Sequence, residues 1–302
     1  MSKNRAKYIL SKYQLLLMLL PSLIFLFIFC YLPMYGVIIA FKDYNSVLGI
    51  LGSPWVGLKH FNIFFSSPMF ITTLKNTLLL SVESLIFGFP IPIIFALLLN
   101  QIRFKKFKRF VQTISYAPYF ISTVVLVSML NLFLAPRTGF VNNMLSIIGV
   151  EPINFMIRSE WFRPVYIISG IWQTMGWSAI IYLAALSGVS PELYEAGTID
   201  GASRLQRILY IDIPSIMPTI IIMLILSVGG LMSVGYEKTY LMQQGMNLKT
   251  SEIISTYVYK VGLMDAQFSY STAIGLFNSI INFILIVSVN SITKKLNSTS
   301  LW

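Results

Sequence analysis

The sequence of 302 residues contains one histidine, His60, and one cysteine, Cys30. A single histidine excludes a paired-histidine metal site, and Cys30 has no partner for an intrachain disulfide. The chain also lacks a glycine-rich P-loop, an H-E-x-x-H zinc motif and a G-x-S-x-G nucleophile motif. We therefore expect no catalytic residue, no metal site and no cofactor on this chain.

Charged residues are also scarce. They make up 11% of the chain, against 56% hydrophobic residues, and the mean hydropathy is +0.75. These values lie far outside those of soluble proteins and indicate an integral membrane protein surrounded by lipid. The net charge of +11 would suggest nucleic acid in a soluble protein. Here the Lys and Arg residues fall between apolar runs, as at the cytoplasmic face of a bilayer, and we expect no nucleic-acid partner.

Six apolar segments are long enough to cross a bilayer, which takes about 20 helical residues. They are residues 14–41, 72–100, 113–134, 165–187, 216–236 and 273–293. The sequence thus predicts an all-α integral membrane domain over 14–293 with six transmembrane helices. The first segment is nearly twice as long as a signal-peptide core, so we expect it to be retained. Prolines and glycines interrupt the second and fifth segments, which favours helices that line a cavity.

Lys and Arg residues cluster near the ends of alternate segments. Because positive loops stay inside, this pattern predicts that the N-terminal segment 1–13 and the tail 294–302 are both cytoplasmic. It also assigns the polar connection 188–215 to the cytoplasm. The outer loops are rich in aromatic residues, which indicate either an interfacial aromatic belt or contact with an external partner.

Glu83 is the one carboxylate deep within a predicted span. An acid inside the membrane is a functional candidate by default. A second interpretation is structural, with the carboxylate paired to a polar group of another helix.

The polar connection includes SPELYEAGTIDGASRLQRILYIDIPSIMP, residues 190–218. A serine cap followed by proline predicts a short helix over about 191–199, and Gly201 follows it. A second short amphipathic helix is predicted over 202–210, and Pro214 is expected to end it. Geometry alone therefore describes an interfacial elbow that connects two spans.

The spacing within this elbow resembles a known signature. Glu195-Ala196-Gly197, three residues, Gly201, nine residues and Ile211-Asp212-Ile213-Pro214 are similar to E-A-A-x3-G-x9-I-x-L-P. That signature is typical of the permease subunits of type I binding-protein-dependent ABC importers. Glycine in place of the second alanine and isoleucine in place of leucine are mild departures.

Further segments resemble the carbohydrate branch of that family, in particular its LplB-like polysaccharide and oligosaccharide permeases. They are PYFISTVVLVSMLNLFLAPRTGFVN (118–142), GYEKTYLM (235–242), ISTYVYKVGL (254–263), GLFNSIINF (275–283) and TSLW (299–302). The resemblance extends from about residue 10 to the end of the chain. It implies the six-span, MetI-like permease fold in a bacterial cell membrane, with both termini cytoplasmic.

The resemblance also implies partners. Two permease subunits, usually different chains, would form one pathway, and an extracellular solute-binding lipoprotein would deliver the carbohydrate. Two ATPase subunits would bind ATP and magnesium, while this chain would perform no catalysis. The elbow would be a coupling helix that inserts into the ATPase. Its implied contacts are Glu195, Ala196, Gly197, Asp200, Gly201, Ile211 and Pro214.

In the maltose branch of the family, the fourth and fifth spans carry sugar-binding side chains. The corresponding positions here are Thr174, Trp177, Ser227, Leu231 and Val234. The last two lack sugar-compatible chemistry. Gln173 lies on the same helical face as Trp177, and an amide beside an indole suits a sugar, although interhelical bonding and packing explain the pair equally. Glu83, deep within a predicted span, and Tyr236, at the outer mouth, complete the candidates for the substrate pathway.

The residues alone leave two other functions open. A self-sufficient secondary carrier or channel, acting as a homodimer, would need no ATPase. An intramembrane enzyme would require a set of catalytic residues, which the sequence does not offer.

Overall fold

The computed structural model describes residues 13–233 and 235–297. The predicted N-terminal segment, except Tyr13, the position of Val234 and the TSLW motif lie outside the described residues. Within the described ranges the chain contains no β-strand, only an isolated antiparallel bridge between Lys42 and Trp55. The all-α prediction is confirmed.

Thirteen helices of six or more residues organise the described chain. They are α1 Tyr13–Phe41, α2 Lys59–Ser66, α3 Pro68–Gly88, α4 Pro90–Asn100, α5 Lys105–Tyr116, α6 Thr123–Phe133, α7 Phe140–Ile147, α8 Ser159–Ser187, α9 Pro191–Ile199, α10 Arg204–Gly229, α11 Tyr236–Met242, α12 Ile254–Tyr259 and α13 Phe268–Asn297. Shorter α-helical turns lie at Gly49–Gly52 and Leu248–Ser251. A π-turn at Ile208–Asp212 interrupts the regular hydrogen bonding of α10.

Five of these segments are long and apolar enough to cross a membrane, namely α1, the α3–α4 pair, α8, α10 and α13. The pair α5–α6 supplies a sixth candidate, bent by 100° at its break. The candidates follow the order of the six predicted spans, but their bounds differ from the prediction. Helix α8 begins at Ser159 and α10 at Arg204, both before the apolar core that defined the predicted spans.

The bend between α5 and α6 interrupts the predicted span 113–134. Ala117–Phe120 form a 3-10 turn that contains Pro118, whose ring removes a backbone donor. Ile121 and Ser122 are then extended, with ψ angles of 125° and 153°. The Ser122 hydroxyl accepts a hydrogen bond from the Val125 N–H and begins α6 anew. A hydropathy window averages over the residues on both sides of this bend, so it cannot resolve the break itself.

Pro214 does not end a helix, contrary to the prediction from its missing donor. The turn Arg204–Arg207 continues through the π-turn into Ile213–Gly229, so residues 202–210 do not form a separate helix. In a π-turn the backbone N–H groups donate to carbonyls five residues earlier instead of four. The hydrogen-bond pattern of the helix is therefore shifted before the chain reaches the proline. The elbow therefore runs without interruption into the following span.

One compact unit consists of residues 13–66 with 260–276. Its small core contains Ala40, Phe61 and Ala273. Lys59 donates to a carboxylate oxygen of Asp43 at 2.8 Å, and this hydrogen bond lowers the pKa of the Asp43 carboxyl. The large apolar side chains of α1 are mostly exposed, as expected of a helix that faces lipid.

The other compact unit consists of residues 67–259 with 277–297. One of its buried clusters contains Leu80, Val127, Met156, Phe162, Met242 and Ile253. Another contains Ala96, Leu97, Ala179, Tyr182, Leu186 and Ile216. Helix α8 contributes to both clusters, so it is the central helix of this unit.

Helix α8 approaches α5 closely at Gly176. A Cβ atom at position 176 would lie 2.1 Å from the backbone oxygen of Ser115. Backbone atoms cannot yield as a flexible side chain does. Glycine at this position therefore permits the contact between α8 and the first half of the bent pair.

We expect Gly176→Ala to destabilise the protein by about 3 kcal/mol, because overpacking costs roughly 1–3 kcal/mol and here meets rigid backbone. Thermal unfolding of the purified protein in detergent measures the change. Gly275→Ala, also within a helix but with no neighbour within 4 Å of its Cβ position, is the matched control and should leave the unfolding temperature unchanged or higher. Equal stabilities of the two variants would contradict the close approach.

Candidate functional sites

The elbow helix α9 begins with a side-chain cap. The Ser190 hydroxyl accepts a hydrogen bond from the Glu192 N–H at 3.3 Å, and Pro191 occupies the first helical position. Glu192 lies in the first turn, where its charge complements the positive end of the helix dipole. The predicted start of this helix is thus observed.

The other end of α9 is closed by backbone hydrogen bonds. Ala202 N–H donates to the Gly197 carbonyl at 2.8 Å, and Gly201 N–H donates to the Thr198 carbonyl at 3.1 Å. This pair of bonds is a Schellman motif, which requires a left-handed residue just past the helix. Gly201 has a φ of 73°, which costs glycine little and other residues about 1 kcal/mol or more. The glycine of the signature is therefore required by the end of α9.

Helix α10 begins immediately after that turn with a capping box. The Ser203 N–H donates to the Gln206 side-chain oxygen at 2.8 Å, and the Gln206 N–H donates to the Ser203 hydroxyl at 3.3 Å. Two of the otherwise unpaired donors at the helix start are thereby satisfied. A turn held by these backbone and capping hydrogen bonds separates the two helices of the elbow.

A buried carboxylate connects the elbow to the rest of its unit. Asp212 is fully buried in the π-turn of α10. One of its oxygens accepts from the Gln101 side-chain amide at 3.0 Å, and the other accepts from the Tyr194 hydroxyl of α9. Burial, together with the hydrogen bond to Asp212, raises the pKa of Tyr194 to about 12. The carboxylate thus joins the C-terminal end of α4, the elbow helix and the following span.

The exposed face of α9 carries Glu195, Ala196 and Asp200. It also carries Ile199, whose side chain is 87% exposed. The opposite side packs inward, and a Cβ atom at Gly197 would lie 3.2 Å from Cδ1 of Ile211. The signature has alanine at this position, and the glycine found here lies at a close contact between α9 and α10.

A cavity of about 500 Å³ lies among α3, α4, α8, α10 and α11. Its size is that of a small-ligand site. Its neutral polar lining includes Ser81, Ser84, Gln173, Thr174, Ser178 and Ser227. The Ser84 hydroxyl is buried and has no hydrogen-bond partner among the described residues. Hydroxyl and amide groups set in an apolar wall can bind the hydroxyls of a sugar.

Lys238, in α11, is the one charged side chain among the described residues that line this cavity. It is 8% exposed, and its ammonium donates to the Tyr166 carbonyl at 2.9 Å. The ammonium also lies 4.6 Å from the centroid of the Tyr166 ring. Helix α11 lies outside the candidate spans, and burial lowers the pKa of Lys238 to about 8.

A family model described as "Binding-protein-dependent transport system inner membrane component" matches residues 88–298. The matched region includes the elbow and, of the helices that surround the cavity, α4, α8, α10 and α11. The chain belongs to this family.

Two relatives of this permease come from Bacillus subtilis strain 168. The polygalacturonan/rhamnogalacturonan transport system permease protein YteP is 47% identical over 98% of this chain and 92% of its own length. Protein LplB is 44% identical over 95% of this chain and 91% of its own length. The LplB-like resemblance is confirmed.

Two crystal structures match the permease with a TM-score of 0.90 and 41% identity. One is of a bacterial ABC transporter involved in the import of the acidic polysaccharide alginate, and the match covers 97% of this chain and 99% of that one. The other is of a bacterial alginate ABC transporter in complex with alginate pentasaccharide-bound periplasmic protein, with coverage of 98% and 99%. The permease fold follows from these matches.

Some of the predicted pathway residues meet at the cavity of the permease. Gln173, Thr174 and Ser227 line it. The Gln173 amide also donates to the Ile121 carbonyl at 2.8 Å, so it bridges α8 to the bend before α6 as well. Both interpretations of Gln173, as a lining residue and as an interhelical hydrogen-bond donor, are compatible with the structure.

Trp177, Glu83 and Tyr236 do not line this cavity. One face of the Trp177 ring stacks on Tyr119, with centroids 4.6 Å apart and planes 5° apart, so that face is not available to a sugar. Glu83 accepts a hydrogen bond from Arg163 at 2.6 Å, in agreement with its structural interpretation. Tyr236 packs against the rings of its neighbours Tyr240 and Tyr259. The structure therefore does not bring these three candidates together with the residues that line the cavity.

The sequence prediction missed two groups of residues. Asp212 lies within the quoted signature but received no role, and its burial becomes visible only through Gln101 and Tyr194. Lys238 is absent from the predicted site residues, because hydropathy cannot show that α11 turns back toward the cavity. The sequence GYEKTYLM, in which the lysine lies among tyrosines, is the available signal.

We expect Tyr194→Phe to weaken the attachment of α9, because it removes a hydrogen bond to a buried carboxylate, worth about 1.5–3 kcal/mol. Hydrogen exchange of the purified permease should show faster exchange of the amides of residues 191–199. Tyr210→Phe is the matched control, since Tyr210 is 77% exposed. Unchanged exchange in the Tyr194 variant would show that the Asp212 contact does not position the elbow.

Proposed function

We propose that this permease forms half of the membrane pathway of an ATP-driven importer that moves an oligosaccharide or polysaccharide fragment into the cytoplasm. The observation that carries this proposal is the full-length similarity to an alginate importer, at 41% identity and a TM-score of 0.90. The polygalacturonan/rhamnogalacturonan relative supports the same class of substrate. The cavity, with its hydroxyl and amide lining, is the proposed passage for the sugar.

The proposed importer contains a second permease, encoded as a different chain, and two ATPase subunits that bind ATP and magnesium. This chain performs no catalysis and binds no cofactor. An extracellular solute-binding lipoprotein delivers the sugar, and the periplasmic protein in the matched alginate transporter supports this part of the proposal. Both termini of the permease lie in the cytoplasm, on the same side as the elbow.

The elbow would couple the ATPase to the pathway. Its exposed face offers the Glu195 carboxylate for ion pairing and the Ile199 side chain for a hydrophobic groove. Caps at both ends make α9 a rigid body, and Asp212 fastens that body to α10. A displacement at the ATPase would therefore reach the span instead of being absorbed by a loose loop.

We expect Glu195→Gln and Gly201→Ala to reduce sugar uptake at least about tenfold, which corresponds to about 1.4 kcal/mol of coupling, with normal amounts of permease in the membrane. The first removes the charge offered to the ATPase, and the second strains the Schellman turn. Uptake and ATP hydrolysis are measured together with the complete importer in liposomes.

The matched controls are Glu192→Gln, on the same helix, and Gly245→Ala, whose Cβ position has no neighbour within 4 Å. Normal uptake by both elbow variants would show that α9 does not couple the ATPase to the pathway. Gradient-driven sugar flux through the purified permease alone, without an ATPase, would instead support a self-sufficient carrier.

A further inference from the structure

Lys238 has an environment that a purely structural lysine does not need. Lysine is almost never fully buried without a partner of opposite charge, because removing an ammonium from water is costly. Here the side chain is 8% exposed, and no carboxylate pairs with it among the described residues. The protein therefore maintains an uncompensated positive charge at the wall of the cavity.

The hydrogen bonds of this ammonium are also incomplete. It has three donors, and the Tyr166 carbonyl is the one acceptor that the described residues provide. The Tyr166 ring offers a weaker electrostatic contact at 4.6 Å. Donors therefore remain for which the described residues supply no acceptor.

The cavity wall leaves space beside the ammonium. Gly170 lies next to it, and a Cβ atom at that position would be 3.3 Å from Nζ of Lys238. The remaining polar lining is neutral, and neither a carboxylate nor a second cation occurs among the described lining residues. An incoming anion would thus meet one positive charge and no negative one.

We propose that Lys238 binds a carboxylate of the transported sugar, so that the permease is selective for acidic oligosaccharides composed of uronic acids. This inference rests on the proposed function and specifies its class of substrate. A carboxylate supplies both the missing charge and the missing acceptors, whereas the hydroxyls of a neutral sugar supply acceptors but no charge. The polygalacturonan relative and the match to a transporter of the acidic polysaccharide alginate agree with this class.

Ligand binding would also relieve the cost of burial. Burial lowers the pKa of the Lys238 ammonium to about 8, which means that the surrounding protein disfavours its charge. A carboxylate within hydrogen-bonding distance favours the charged form again. An acidic sugar thus offsets the cost of burying Lys238, whereas a neutral sugar does not, and this difference makes the cavity selective.

The test compares one sugar with and without its charge. An oligogalacturonate and its methyl ester of the same length are titrated calorimetrically into the importer complex without the solute-binding protein. The wild-type complex is expected to bind the acid about 10- to 100-fold more tightly than the ester, as for a hydrogen bond to a charged group. Lys238→Met should abolish this preference and leave the affinity for the ester unchanged.

Two further variants separate charge from packing. Lys238→Arg should retain the preference for the acid, and Lys249→Met, which removes an exposed lysine, should behave as the wild type. Unchanged affinity of Lys238→Met for the ester shows that the variant is folded. A preference for the acid that survives in Lys238→Met, or that is absent from the wild type, overturns the inference.

Uptake by the complete importer distinguishes this failure from failure of the proposed function. If the wild-type importer takes up neither form of the sugar in an ATP-dependent manner, then the proposed function fails and the inference fails with it. If it takes up the acid, and Lys238→Met takes up the acid equally well at limiting concentration, then the inference alone fails.

Discussion

The buried carboxylate of Asp212 is the contact on which the geometry of the elbow depends. Withdrawing a carboxylate from water costs several kcal/mol unless donors replace the lost hydration. The donors here are Gln101, just past the end of α4, and Tyr194 of α9, while Asp212 itself belongs to α10. Satisfying one charge therefore fixes three segments relative to each other, and α9 cannot shift alone without leaving that charge unpaired.

Much of this arrangement follows from local chemistry that a sequence contains. Long apolar runs predict the spans because lipid offers no hydrogen bonds, and Ser190 and Gly201 predict the ends of α9 because caps are local. One prediction failed, that of a helix end at Pro214, and spacing along the chain also does not show contacts between distant residues. Pro214 is accommodated by a π-turn, and Trp177 is stacked on Tyr119. Neither outcome can be derived from spacing along one helix.

Lys238 illustrates the same limit, because the sequence alone does not show that this residue is buried. A count of positive residues treats each lysine outside a span as a solvated charge, which is correct on average for orientation. It ignores whether the backbone afterwards folds toward a cavity, as α11 does here. Burial and the missing carboxylate, which give this lysine its significance, are properties of the packed helices alone.

Asp212 and Lys238, both buried, differ in a way that indicates their roles. Asp212, near the start of α10, is satisfied by side chains of its own unit, whereas Lys238, beyond the end of α10, retains donors for which the described part of the chain offers no acceptor. Helix α10 has 26 residues and is therefore about 39 Å long, at about 1.5 Å per residue. Its first turns are fastened to the elbow and its last turns bring Ser227 to the cavity. Under the proposed function, because a hydrogen-bonded helix moves largely as one body, a displacement of α9 would reach the wall where the sugar would lie, and no separate relay between the two sites would be needed.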